Sequence, residues 1–157
     1  MEFFQNGVSE GEDNVVLNKE QIKSILPHRE PMLLIDEVES QNETSAVGYW
    51  HLSGDEDFFQ GHFPDYPVVP GVYLLESMAQ LIGVVMLQKE QYQGKLALFG
   101  GANKVKFRRQ VRPRDICKIE IEITKLKGPA GMGEGKITVN GELACQAEMT
   151  FMAVDKE

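Results

Sequence analysis

The chain has 157 residues, a formal net charge of −8, a pI near 4.9 and 42% apolar residues. That length is one domain, and that apolar fraction supports a packed core, which excludes a disordered chain. The acidic balance excludes nucleic-acid binding by bulk electrostatics.

The opening "MEFFQNGVSEGEDN" has neither the basic region nor the apolar stretch of a signal peptide. Residues 1–14 read as a loose acidic tail, ahead of a single domain over 15–157. Asn18 followed by Gln21 is a capping box and predicts a short helix to about Leu26, stopped by Pro27. "PMLLIDEVES" (31–40) and "TSAVGYWHL" (44–52) read as two strands, and "SGDED" (53–57) as a loop.

Pro70 favours a helix start, and the helix is expected from about Gly71 to Glu90, with Gly94 ending the segment. Residues 72–87 are apolar nearly all round, the mark of a helix buried on most sides. Gly83 inside it costs about 1 kcal/mol relative to alanine, which implies close packing there. A membrane span needs about 20 continuous apolar residues. Val68 to Leu87 is interrupted by Pro70, Gly71, Glu76 and Gln80, so no span is expected.

"LALFGGANKVKFRRQV" (96–111) is a further strand, broken or bulged at Gly100-Gly101. In "CKIEIEITK", Cys117, Ile119, Ile121 and Ile123 share one face. In "GKITVNGELACQAEMTFMA", Ile137 and Val139 point inward, and Leu143, Cys145, Ala147, Met149 and Phe151 continue that phase. Asn140-Gly141 between them predicts a type I′ hairpin. Cys117 and Cys145 form no CxxC pair and lie at no metal-ligand spacing from a histidine. They read as buried thiols in a reducing cytoplasm, and no metal site is expected. About six antiparallel strands and one long buried helix define an α+β fold whose sheet curls around the helix, a hot-dog-like arrangement.

One acid stands inside that helix. An ionised carboxylate in an apolar interior costs several kcal/mol unless paired. The neighbours of Glu76 at three and four residues are Val72, Tyr73, Ala79 and Gln80, none of them a cation. Gln80 can hydrogen-bond it but cannot balance its charge. Either the face at 76, 80 and 83 meets solvent, or Glu76 is a carboxyl group with a raised pKa that acts as an acid. His62 lies in a loop studded with Pro64, Pro67 and Pro70 and leads within nine residues to the helix start. The free N–H groups of Gly71 and Val72 there suit a developing oxyanion.

Lys104, Lys106, Arg108, Arg109, Arg112, Arg114 and Lys118 put seven basic residues in fifteen positions, with Asp115 the only acid among them. This island is either a solvated strand face or a dock for an acidic partner. It lacks the interleaved aromatics that single-stranded nucleic acid would need.

The stretch "GHFPDYPVVPGVYLLESMAQ" (61–80) resembles the signature of the β-hydroxyacyl-acyl-carrier-protein dehydratases of bacterial fatty-acid synthesis, the FabZ type. The resemblance extends through "ILPHREPMLLIDEV" (25–38), "KVKFRRQVRPRD" (104–115) and "GEGKITVNGELACQAEMTF" (133–151). It implies conversion of a (3R)-hydroxyacyl carrier thioester to the trans-2-enoyl thioester, with His62 and Glu76 catalytic. It implies that Gly71 offers its N–H to the thioester carbonyl, and that neither a metal nor an organic cofactor takes part. Acyl carrier protein, which is strongly acidic, is the implied partner of the basic island. The resemblance also implies a dimer with sheets joined edge to edge, often a trimer of dimers. Each site then takes its histidine from one subunit and its acid from the other.

Relatives that also isomerise the double bond typically carry Asp at the acid position, so Glu76 favours the plain dehydratase. The alternatives are a dehydratase/isomerase, a hot-dog thioesterase and a non-catalytic acyl-binding domain. Two departures stand out. "LALFGG" places Leu98 or Phe99 where relatives often have a gating tyrosine, and "HREP" carries Glu30 where relatives often read "HRYP". His28 and Arg29 match the family and read as structural.

Overall fold

The computed structural model describes residues 16–156, and the tail expected over 1–14 lies outside the described residues. Helix α1 (Lys19–Ile25) opens on the expected capping box. The Gln21 N–H donates to Asn18 Oδ1 at 2.9 Å, and the Asn18 N–H donates to Gln21 Oε1 at 2.7 Å. Strand β1 spans only Glu37–Gln41, and β2 spans Ser45–His51. The first part of "PMLLIDEVES" is therefore not strand, although Leu33, Leu34 and Ile35 are buried. A side chain takes the place of a strand partner there: the Leu34 N–H donates to Gln80 Oε1 at 2.9 Å.

A single-turn helix α2 (Phe58–Gly61), not expected from the sequence, precedes the long helix α3 (Gly71–Leu87). Helix α3 stops short of Glu90, because Lys89 turns extended at φ −74° and ψ 140° before a 3-10 turn over Glu90–Tyr92. Then come β3 (Leu96–Phe107), β4 (Ile116–Lys127), β5 (Ala130–Val139) and β6 (Glu142–Val154). The six strands form one antiparallel sheet in the order β1-β2-β4-β5-β6-β3.

Helix α3 packs across β2, β3, β4, β5 and β6. Met78, Leu81, Ile82, Val84 and Met86 are each at most 1% exposed, and full burial of such side chains contributes about 1.5–3 kcal/mol apiece. The close packing expected at Gly83 is against Leu26, the residue that caps α1: a Cβ there would lie 3.2 Å from Leu26 Cδ2. From the sheet, the inward phase of β4 and most of that of β5 and β6 is buried as the alternation predicts. Leu143 is the exception. The register steps from Ile137↔Cys145 to Thr138↔Leu143, so Ala144 is an extra residue. That bulge reverses the side-chain phase. Ala144 is buried and Leu143 half-exposed. Asn140 and Gly141 carry the expected hairpin with φ of 52° and 82°.

Strand β3 forms one edge of the sheet. Its register shifts at Phe99/Gly101, as expected for Gly100-Gly101, and again between Asn103 and Lys106, where Lys104 has φ 54°. Leu98, Phe99 and Phe107 on it are 50%, 39% and 54% exposed. This twelve-residue edge strand therefore carries apolar side chains in the open beside a row of backbone groups with no strand partner. Among the described residues, no helix is long and apolar enough to cross a membrane.

Candidate active site

His62 ends helix α2, where its N–H donates to the Phe58 carbonyl at 3.0 Å. Its ring Nδ1 lies 2.9 Å from the Val68 carbonyl oxygen. A carbonyl only accepts, so Nδ1 carries a proton, and in the neutral ring Nε2 presents a lone pair. The loop around the ring is tied down. Val68 N–H donates back to the His62 carbonyl at 2.9 Å, and Val69 N–H to the Val111 carbonyl at 2.8 Å. Tyr66 Oη donates to Gln110 Oε1 at 2.7 Å. Arg112 donates to both of those oxygens at 2.8 Å, with its guanidinium 5.2 Å from the centre of the Tyr66 ring. The Phe63 ring stacks on the imidazole with centroids 4.1 Å apart.

The chain then enters α3 through Pro70, which makes no side-chain cap. The first N–H groups of a helix have no intrahelical partner, so those of Gly71 and Val72 are available to a ligand. Val72 is 68% exposed. A cleft of about 420 Å³ opens beside this helix start, lined by Val68, Gly71, Leu74, Phe107 and Arg108 among others. A larger concavity of about 790 Å³ lies on the outer face of the sheet. Of the expected site residues it touches only Lys104, whereas Gly71, Arg108 and Arg109 line the smaller cleft.

Glu76 shares its helix face with Val72 and Gln80, one turn either side, and its side chain is 26% exposed. Gln80 is buried and uses every group it has. Its Nε2 donates to Glu76 Oε2 at 2.9 Å and to the Met32 carbonyl at 2.7 Å, while its Oε1 accepts from Leu34. A second partner arrives from outside the helix: His28 Nε2 lies 3.6 Å from Glu76 Oε2. This overturns the expectation of a raised pKa. Burial is the largest single influence and pushes the carboxyl up. The Gln80 hydrogen bond and the close approach of His28 together outweigh it and hold Glu76 below its ordinary 4.5.

Sequence reasoning read His28 as structural and missed this contact. The signal was present: a carboxylate in an apolar helix with no cation within a turn needs a partner from elsewhere in the chain. Among the described residues, no hydrogen bond or ion pair joins His62 to Glu76 within one chain.

The basic island separates into held and free groups. Arg109 bridges Glu142 at 3.1 Å and Asp115 at 3.7 Å and donates to the Val139 carbonyl at 3.2 Å, so it fastens the β5–β6 hairpin. Arg112 belongs to the His62 loop, and Lys104 pairs with Glu148 at 3.7 Å. Lys106, Arg108, Arg114 and Lys118 are exposed. Arg108 makes only a long 3.4 Å side-chain contact, to Gln146.

One helix embraced by an antiparallel sheet, with a histidine loop at the helix start, defines a hot-dog fold. Solved structures agree. The dehydratase heterocomplex ApeI:P from Xenorhabdus doucetiae matches with a TM-score of 0.72 at 20% identity, over 86% of this chain and 91% of that one. The Escherichia coli PaaI protein matches at 0.59 and 15% identity, over 76% of this chain and 79% of that one. At these identities the likeness is one of fold.

Sequence carries it further. The FabA-like domain model matches residues 26–148. The chain is 48% identical to the 3-hydroxyacyl-acyl-carrier-protein dehydratase FabZ of Bacillus pumilus over 137 residues, 87% of this chain and 95% of that protein. It is also 48% identical to FabZ of Bacillus cereus strain AH187 over 143 residues, 90% and 99% of the two chains. The chain belongs to the FabA-like family and, within it, to the FabZ dehydratases.

Proposed function

We propose that this protein removes water from a 3-hydroxyacyl thioester carried by acyl carrier protein, giving the trans-2-enoyl thioester of fatty-acid synthesis. The observation that carries the assignment of roles is the Nδ1 contact of His62 to a carbonyl. It leaves Nε2 as a base aimed away from the loop. His62 takes the proton from C2, electron density moves onto the thioester oxygen, and the Gly71 and Val72 N–H groups stabilise it. Hydroxide leaves C3 as water, with its proton supplied at Glu76.

The site is shared between two copies of the chain. The missing link between His62 and Glu76 within one chain supports this, as does the unpaired edge strand β3 with its exposed Leu98, Phe99 and Phe107. Pairing of β3 with a second β3 satisfies its open backbone groups and covers Leu98 and Phe99. The carrier protein docks on Lys106, Arg108 and Arg114, beside the cleft that Arg108 lines.

Incubation with a 3-hydroxyacyl thioester tests the reading. Absorbance of the conjugated enoyl thioester should rise, with no thiol released. Thiol release without enoyl formation would make the protein a thioesterase, and neither signal would make it a binding module.

A further inference from the structure

Four residues from four neighbouring strands stand in one row on the inner face of the sheet: Leu126 on β4, Gly131 on β5, Phe151 on β6 and Phe99 on β3. The buried Phe151 ring leans over Gly131. A Cβ built on Gly131 would lie 2.4 Å from Phe151 Cε1 and 2.6 Å from its Cζ. Gly131 is not among the residues with positive φ, so the ring, and not the backbone conformation, is what requires a glycine there.

On the other side of the ring lies a nearly closed void of about 10 Å³ between α3 and β3. Ala79 and Ile82 of the helix, Ala97 and Phe99 of β3, and Met149 and Phe151 of β6 line it. Ala79 is close to one helical turn beyond Glu76. The two aromatic walls differ in freedom. Phe99 is 39% exposed on an edge strand and can swing outward, whereas Phe151 is 6% exposed and is held.

We propose that Phe151, held back by Gly131, is the wall that sets the acyl-chain length this protein accepts. The proposal rests on the dehydratase reading of the site, in which C3 of the substrate meets Glu76. The chain beyond C3 gains most from apolar cover close to that point. The void offers it, on the same helix and in the same copy of the chain as Glu76. As it stands the void has room for about one water-sized group. Phe99 turns outward to admit the chain, and the chain's far end meets Phe151. Gly131 and Phe99 flank Phe151 on opposite sides, so whatever pushes the ring off Gly131 drives it into the path of the chain. A Cβ at 131 demands a movement of about 1 Å, from 2.4 Å to the ~3.5 Å of an ordinary carbon contact. A shift of that size removes room for about one methylene, which in an apolar pocket is worth about 10–200-fold in kcat/KM.

Wild type, Gly131→Ala and Phe151→Leu, each checked by thermal melting, are compared on 3-hydroxyacyl thioesters of N-acetylcysteamine with four to sixteen carbons. These substrates bypass carrier docking. The readout is kcat/KM of each length relative to the four-carbon substrate. At the longest length that wild type turns over well, Gly131→Ala should lower that ratio at least about tenfold. Phe151→Leu removes part of the wall and should raise the ratio of the next longer substrate about tenfold. An unchanged ratio in either folded variant, or a wild-type profile with no upper limit, would overturn the proposal.

A second arm needs no turnover. Saturated acyl thioethers of N-acetylcysteamine can be neither dehydrated nor hydrolysed, and a bound one raises the melting temperature. The longest chain that does so should be shorter in Gly131→Ala than in wild type. An identical limit in the two proteins would overturn the wall whatever reaction the protein catalyses. Failure of wild type to form enoyl product would count against the dehydratase reading alone.

Discussion

Gly71 faces the ring of Phe107 so closely that a Cβ built on it would lie 2.8 Å from Cε1 and Cζ. Phe107 is 54% exposed, so its ring can swing outward. Gly71→Ala should therefore cost little stability, about 1 kcal/mol at the low end of overpacking. The helix start should shift with the ring, and misplacement of about 1 Å at a reacting centre costs ~10²-fold. We expect kcat to fall about 10–100-fold with a nearly unchanged urea midpoint. Wild-type turnover in this variant would remove the Gly71 N–H from the site.

His62→Ala and Glu76→Gln should each lose about 10²–10⁴-fold in turnover while staying folded. The two inactive proteins, mixed and allowed to exchange subunits, should recover part of the activity. A hybrid dimer holds one intact site if His62 and Glu76 come from different chains. No recovery after demonstrated exchange would put both residues in one chain's site.

Acid should erase one contribution to stability. Glu76 is held below its ordinary 4.5 in the folded chain. A carboxyl with a lowered folded value stabilises the fold fully above the unfolded value and loses that effect as pH falls through the folded one. Wild type should exceed Glu76→Gln in urea midpoint at neutral pH. That gap should close as pH drops below 4.5. An equal gap at pH 3 and pH 7 would show that the ionised form gains nothing from His28 and Gln80.

Arg112 and Arg109 should fail in different ways from their free neighbours. Arg112→Ala removes the contacts to Tyr66 and Gln110 and should lower kcat on every substrate by loosening the His62 loop. Arg109→Ala should instead lower the melting temperature, since it cuts the links to Glu142 and Val139. Loss of carrier-bound turnover alone in either variant would contradict these roles.

Reversing Lys106, Arg108 and Arg114 to glutamate should raise KM for acyl-carrier-protein substrates and leave short N-acetylcysteamine thioesters nearly untouched. The wild-type preference for carrier-bound substrate should weaken with salt, because the screening length is about 8 Å at physiological ionic strength. Equal losses on both substrate types in a folded variant would end the docking assignment.

The local rules worked where the chain answers to its own neighbours. The Asn18–Gln21 capping box, the Asn140-Gly141 turn and the period of two in β4 depend on residues a few positions apart, and all are found. The same rules failed at Leu143, where one bulged residue inverts the phase, and at Leu33 to Ile35, where Gln80 substitutes for a strand partner.

The hot-dog fold, the family, and the candidacy of His62, Gly71 and Glu76 are legible along the chain, since periodicity and a long motif are properties of consecutive residues. The surroundings of Glu76 and the division of labour in the basic island emerge from folding alone. His28 lies 48 positions before Glu76, yet approaches to 3.6 Å and, with Gln80, reverses the effect of burial. Glu142 lies 33 positions after Arg109 and turns a candidate docking cation into a structural one. Charge interactions act through space with a strength set by distance and surroundings, and neither is a property of spacing along the chain.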